Sequence, residues 1–269
     1  MDIPASIAPR APFTLSRRRE SNAIYFEEGY YACALSAFFA SWRAAFRSPR
    51  AWFGIVQIAP WGGFGTQAFQ AAGVRSDEQL ATLADAHATL ATAADLGDLS
   101  PPMGSIHPRP KQQLGARLAA GALRDLFGRG APTDAQGPVF AAAAAGGGAA
   151  GALSATVTFR APFDAPGSLV LANVSAWPGL APASQCPTTD SSVICGAFEL
   201  QDRSSGAWYP ASASLRADAG ALVLTAAGAP AGAVLNATSN GFAVWPQVSL
   251  FASAALGGLP AYPWTRTPV

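Results

Sequence analysis

The hydrophobic period changes once along this 269-residue chain, and that change points to a fold with two different halves. Ahead of the alanine-glycine stretch from Ala141 to Leu153, apolar residues recur at helical spacing between short strand-like runs. After it they alternate. Tyr31, Leu35, Phe38, Phe39 and Trp42 form one stripe and predict a helix over Glu27–Phe46. Phe53-Gly-Ile-Val-Gln-Ile-Ala59 reads as a buried strand closed by Pro60, with a loop through Trp61, Gly62, Gly63 and Gly65 behind it. Leu80, Leu83, Ala84 and Leu90 predict a second helix over Glu78–Leu90, and Ala91–Leu96 a short strand. Pro108 or Pro110 opens a third helix with the stripe Leu114, Leu118 and Leu126, ended by Gly128 and Gly130.

Helices and strands in alternation imply an α/β layer. Beyond the alanine-glycine stretch, Leu153–Phe159, Ser168–Val174, Ala197–Gln201, Ala221–Thr225 and Val248–Phe251 read as strands separated by Gly, Pro, Asn and Asp, which implies a mainly antiparallel β domain. The boundaries expected are a tail over 1–19, the α/β part over 20–130, a linker over 131–150 and the β domain over 151–269.

Charge excludes some classes of function. Seventeen basic and 16 acidic residues leave a net charge of +1, without the basic patch that a nucleic-acid binder needs. Arg17, Arg18 and Arg19 read as a solvated tail. Ala141–Leu153 is too short and too weakly apolar to span a membrane. The three cysteines have no metal-ligand spacing, so no metal is expected. Cys186 and Cys195 flank a Thr/Ser-rich loop that a disulfide can close, whereas Cys33 sits in an apolar stretch and reads as a buried thiol. Sequons at Asn173 and Asn236 point with that disulfide toward the secretory pathway. Residues 1–20 lack the apolar core of a signal peptide and point the other way.

Ligand sites in open α/β sheets lie at the carboxyl ends of strands. Three loops qualify, at Glu20-Ser21-Asn22, at Trp61–Gly65 and at Asp95–His107, and only the third carries a histidine. His107 precedes a helix N-terminus, whose positive end favours neutral imidazole, the form a general base needs. Asp98 and Asp95 are the carboxylates available to orient it. A polar turn or helix-cap role for His107 is the other reading. His87, within the second predicted helix, reads as a surface or packing residue. No serine stands in a Gly-rich turn after a strand: Ser21, Ser100, Ser105 and Ser205 all lack that setting.

These residues resemble a known family. Glu20-Ser21-Asn22, Tyr31-Ala-Cys33-Ala-Leu35 and Trp42-Arg43 resemble the block reading Gln-Gly-Glu-Ser-Asn in sialate O-acetylesterases. Phe53-Gly-Ile-Val-Gln57-Ile-Ala-Pro60-Trp61 is similar to the strand after it. Ser100-Pro101, Gly104-Ser-Ile-His107-Pro108-Arg109 and Lys111-Gln112 resemble the histidine block. Phe198-Glu199, Trp208-Tyr-Pro210-Ala211 and Trp245-Pro246 resemble the β region, in the same order.

The resemblance implies a partial flavodoxin-like SGNH-hydrolase sandwich followed by the β domain. It implies a serine acyl-enzyme mechanism needing no cofactor, with His107 as base and Asp98 or Asp95 as orienting acid. Glu20, Ser21 and Asn22 would form the active-site block, with Asn22 an oxyanion donor. O-acetylated sialic acid or glycan would be the substrate, and the location secretory, lysosomal or extracellular. Two departures stand out: the family's Gly-Gln-Ser-Asn nucleophile block is absent, and Arg18-Arg19 replaces its Gln-Gly. Gly104 also stands three residues before His107, where SGNH enzymes usually carry the acid. The expectation is therefore the C-terminal half of such an esterase, its nucleophile supplied by a missing N-terminal half or subunit. The alternative is a non-catalytic carbohydrate-binding or structural β protein.

Overall fold

A computed structural model describes residues 30–60, 66–98, 101–102, 107–146, 152–172, 198–241 and 248–268. Glu20, Ser21, Asn22, Cys186, Cys195 and Asn173 lie outside the described residues. The chain is mixed α/β; among the described residues the α-helices lie in its first half and the antiparallel sheets beyond them.

The first half is built from α1 (Tyr30–Ala45), β1 (Phe53–Val56), α2 (Thr66–Leu83), β2 (Ala88–Ala91) and α3 (Lys111–Phe127). β1 and β2 pair in parallel, Phe53 opposite Ala88 through Val56 opposite Ala91. Alternation along a strand assigns the two faces. Phe53, Ile55 and Ala88 pack with Leu35, Phe39 and Ala81 of α1 and α2. Gly54 and Thr89 face α3 instead, and a Cβ on Gly121 of that helix would stand 2.4 Å from Thr89 Cγ2. Only glycine lets α3 approach β2 so closely. Gly128 ends α3 in the left-handed region, φ 61°, and its N–H donates back to the Arg124 carbonyl at 3.1 Å, the bond of an αL closure.

Several sequence expectations change here. The helix expected over Glu78–Leu90 starts at Thr66 and stops at Leu83, and Leu90 belongs to β2. Leu80 is 59% exposed, because Ala81 and the polar residues Arg75, Asp77 and Glu78 take the buried side of α2. His87 lies in the turn before β2 rather than in a helix. Leu126 is exposed, the inner face of α3 running through Leu118 and Gly121. Cys33 is exposed too. It sits two residues from buried Leu35, about 200° around the helix.

The stretch read as a linker is partly sheet. Residues 132–134 form a 3-10 turn, and β3 (Phe140–Ala145) pairs antiparallel with β4 (Leu153–Phe159). Alanine has little intrinsic strand preference, so the partner strand imposes the conformation. Further strands follow: β5 (Leu169–Leu171), β6 (Phe198–Asp202), β7 (Trp208–Pro210), β8 (Ser212–Leu215), β9 (Ala221–Ala226), β10 (Leu235–Asn240), β11 (Leu250–Ala252) and β12 (Trp264–Pro268). Two four-stranded sheets, ordered β3-β4-β9-β8 and β12-β10-β6-β7, are accompanied by the pair β11-β5.

One core joins these sheets. Alternate residues Leu153, Ala155, Val157 and Phe159 of β4 meet Leu222 and Leu224 of β9 and Phe198 and Leu200 of β6. The Trp264 ring lies 5.5 Å from Phe140, 5.7 Å from Phe159 and 6.1 Å from Phe198. The two halves also share buried contacts. Tyr262 packs with Leu90 and Val139, and its hydroxyl donates to the Leu90 carbonyl at 2.6 Å.

Candidate functional site

The loop leaving the carboxyl end of β2 carries Asp95, Asp98 and His107 and delivers the chain to α3. Two arginine forks set its shape. Arg117 of α3 grips both oxygens of Asp95 at 2.7 Å and donates to the Thr92 carbonyl at 2.6 Å. The Asp95 and Arg117 side chains are only 6% and 13% exposed, so each needs the other. Arg109 binds Asp98 through Nε at 2.6 Å and Nη2 at 3.0 Å, and its backbone N–H donates to the same carboxylate at 3.2 Å. The hydrogen bond to Asp98 raises the Arg109 guanidinium above its ordinary range. Asp98 therefore ties down the residue two places after His107. Pro108 between them is buried, and His107 itself is exposed.

Beside the loop a cleft of about 650 Å³ opens between the two halves. Asp95, Asp98, Arg109, Gln113 and Arg117 line one wall, with Asp134, Phe251 and Leu259 across from them. Asp95, Asp98 and Arg109 thus lie on this cleft, but His107 is not in its lining. Among the described residues no group of His, Cys, Asp and Glu is placed to hold a metal ion. No helix among them is long and apolar enough to cross a membrane.

A second polar cluster, absent from the sequence reading, sits at the carboxyl end of β1. Gln57, Arg75, Asp77 and Glu78 are all buried. The Glu78 carboxylate accepts the Ile58 backbone N–H at 2.8 Å, and Gln57 Nε2 donates to the Arg75 carbonyl at 3.0 Å. Asp77 accepts the Tyr31 N–H in the first turn of α1 at 3.0 Å. Burial pushes the Glu78 carboxyl up to about 8 and the Arg75 guanidinium down to about 10. The only available sequence signal was the polar run Arg75-Ser-Asp-Glu-Gln79 inside an otherwise apolar stretch.

The Asn236 sequon lies in β10, a strand paired on both sides. Its Nδ2 donates to Gln201 Oε1 at 2.7 Å, and Thr238 is fully buried, accepting from Trp264 Nε1.

No protein-family model matches the chain, and no curated protein sequence matches it significantly. Among solved structures it is similar to a carbohydrate acetylesterase from Xanthomonas citri, with a TM-score of 0.64 and 22% identity. The match covers 88% of this chain and 46% of that one, so the chain spans under half the length of its structural neighbour. At this identity the likeness shows a shared fold.

Proposed function

We propose that this chain carries the histidine part of a serine-dependent carbohydrate acetylesterase. The carrying observation is the fold shared with the Xanthomonas citri enzyme across nearly all of this chain. The His107 block at the carboxyl end of a parallel strand supports it. In this reading His107 takes the proton of a serine as that oxygen attacks the acetyl carbonyl, and returns it to the departing sugar hydroxyl. Asp98 acts as a positioning residue, holding the His107–Arg109 segment through the Arg109 N–H. Asp95 fixes the base of the loop through Arg117. Glu20, Ser21 and Asn22 belong to the active-site block, with Asn22 as oxyanion donor. The finer assignments, an SGNH-type sandwich, O-acetylated sialic acid as substrate and a secretory or lysosomal location, follow the sequence resemblance.

The sequence contains no nucleophile block, which favours a second reading: a glycan-binding protein without turnover. One experiment separates them. The chain alone should show negligible hydrolysis of O-acetylated sialic acid, since losing a triad member costs several orders of magnitude. Joined to the part of the Xanthomonas citri enzyme that it does not match, it should hydrolyse acetyl esters. His107→Ala should abolish that turnover and His87→Ala should not. A joined protein that binds O-acetylated glycan without turnover would favour the second reading. Turnover that survives His107→Ala would refute the role given to His107.

A further inference from the structure

Among the described residues, β1 of the small parallel sheet is bonded on one side only. Phe53 and Gln57 donate their N–H groups to the His87 and Ala91 carbonyls of the β2 segment. Alternate residues of a parallel strand face alternate edges, so the N–H and C=O groups of Gly54 and Val56 point away from β2. Among the described residues no strand pairs on that edge. Ile58, the next residue of that parity, has its N–H taken by Glu78, which leaves Gly54 and Val56 as the open ladder positions.

The flank of this edge is apolar. Val56 is 38% and Ile58 39% exposed. Phe38 and Trp42 of α1 and Phe46 in the turn after it make a continuous outer stripe, with ring centroids 5.3 and 5.1 Å apart and exposures of 42, 48 and 68%. Phe38 lies 5.9 Å from Phe53, so the stripe begins at β1 itself. An open parallel edge beside a contiguous aromatic strip marks an interaction surface.

We propose that this edge receives a further β-strand from the part of the fold that the structural neighbour has beyond this chain, running parallel to β1 within a strand–helix unit whose helix covers Phe38, Trp42 and Phe46. Two observations choose this occupant. The existing pair is parallel with helices on both faces, a layout extended by further strand–helix units. The structural neighbour has more than half its length beyond the part this chain matches. A second copy of the chain brought up by a two-fold axis would instead present β1 antiparallel. The inference rests on the fold and not on the hydrolytic reading.

The test uses the full chain with the unmatched part of the Xanthomonas citri acetylesterase, both as a separate polypeptide and joined by a Gly/Ser linker. Amide hydrogen exchange is read at Gly54 and Val56, and mass by light scattering. At least in the joined form, exchange at both amides should slow by roughly tenfold or more. Val56→Pro removes an outward N–H and no bond to β2, and should return Gly54 to the exchange rate of the isolated chain. Trp42→Lys, at an exposed helix position, should do the same and decides the matter if Val56→Pro disturbs the fold. Unchanged exchange in the joined protein overturns the proposal. So does slowed exchange indifferent to both substitutions, or protection already present in a dimer of the chain alone. Slowed exchange without esterase turnover upholds this surface and removes the hydrolytic reading, and turnover without slowed exchange does the reverse.

Discussion

Replacing Glu78 with glutamine tests how a buried carboxyl at the end of β1 couples folding to pH. Glu78 is 7% exposed, and burial raises it from 4.5 to about 8 in the folded chain. The unfolded chain therefore releases this proton near pH 4.5 while the folded chain keeps it until about 8. Between those values the folded state binds more protons, so stability falls as pH rises. It is greatest below pH 4.5 and levels off above pH 8. One proton gives a slope of about 1.4 kcal/mol per pH unit, hence at most about 4 kcal/mol over three units. Asp85 and Asp125 are held below their ordinary range, Asp85 by the Arg43 hydrogen bond and Asp125 by those from Arg124, Thr89 and Trp52. Their contributions are lost only under acid conditions, below this window. Glutamine keeps an acceptor for the Ile58 N–H but has no proton to release. Urea unfolding at pH 5, 6, 7 and 8 should show the wild-type chain losing stability steadily and Glu78→Gln losing less, with the difference growing toward pH 8. Parallel curves for the two proteins would refute the argument.

Three other substitutions probe the packing by urea unfolding at fixed pH. Arg117→Ala should cost about 3–5 kcal/mol, because it strands the buried Asp95 carboxylate, and Arg117→Lys should recover only part of it. Trp264→Ala should cost about 3–5 kcal/mol by emptying the space between Phe140, Phe159 and Phe198. Tyr262→Phe should cost about 1–3 kcal/mol by leaving the Leu90 carbonyl without its hydroxyl partner.

The elements legible in the sequence were those whose own pattern dictates them. The aromatic and aliphatic stripe of α1, the run Phe53–Val56 and the glycine that closes α3 carry local signals and appear where expected. Among the strands, β4, β6 and β9 alternate strongly enough to be read directly. β3 was not, because five consecutive alanines have no period, and only the register from Phe140 opposite Phe159 to Ala145 opposite Ala155 makes them a strand. The end of α2 was missed for a related reason. Leu83 and Leu90 fit one helical stripe on paper, but the turn around Asp85 intervenes, its carboxylate bound by Arg43 of α1 from 42 residues away.

The same distinction separates what was readable at the candidate site from what was not. A histidine between a strand and a helix is a local pattern, and the structure places His107 there. The partners of Asp95 and Asp98 are not local. Spacing made both carboxylates candidates to face the imidazole, yet one is clasped by a residue on the inner face of α3 and the other by a residue after the histidine. Arginine forks of this kind hold a loop rigid, and rigidity is what a base on an exposed loop lacks on its own. On the proposed reading, the carboxylates bear on His107 through the backbone they immobilise. Asp98→Asn, which retains an acceptor for the Arg109 N–H, should accordingly preserve more of the joined enzyme's turnover than Asp98→Ala. If Asp98 instead oriented the imidazole by its charge, the two variants would be equally inactive.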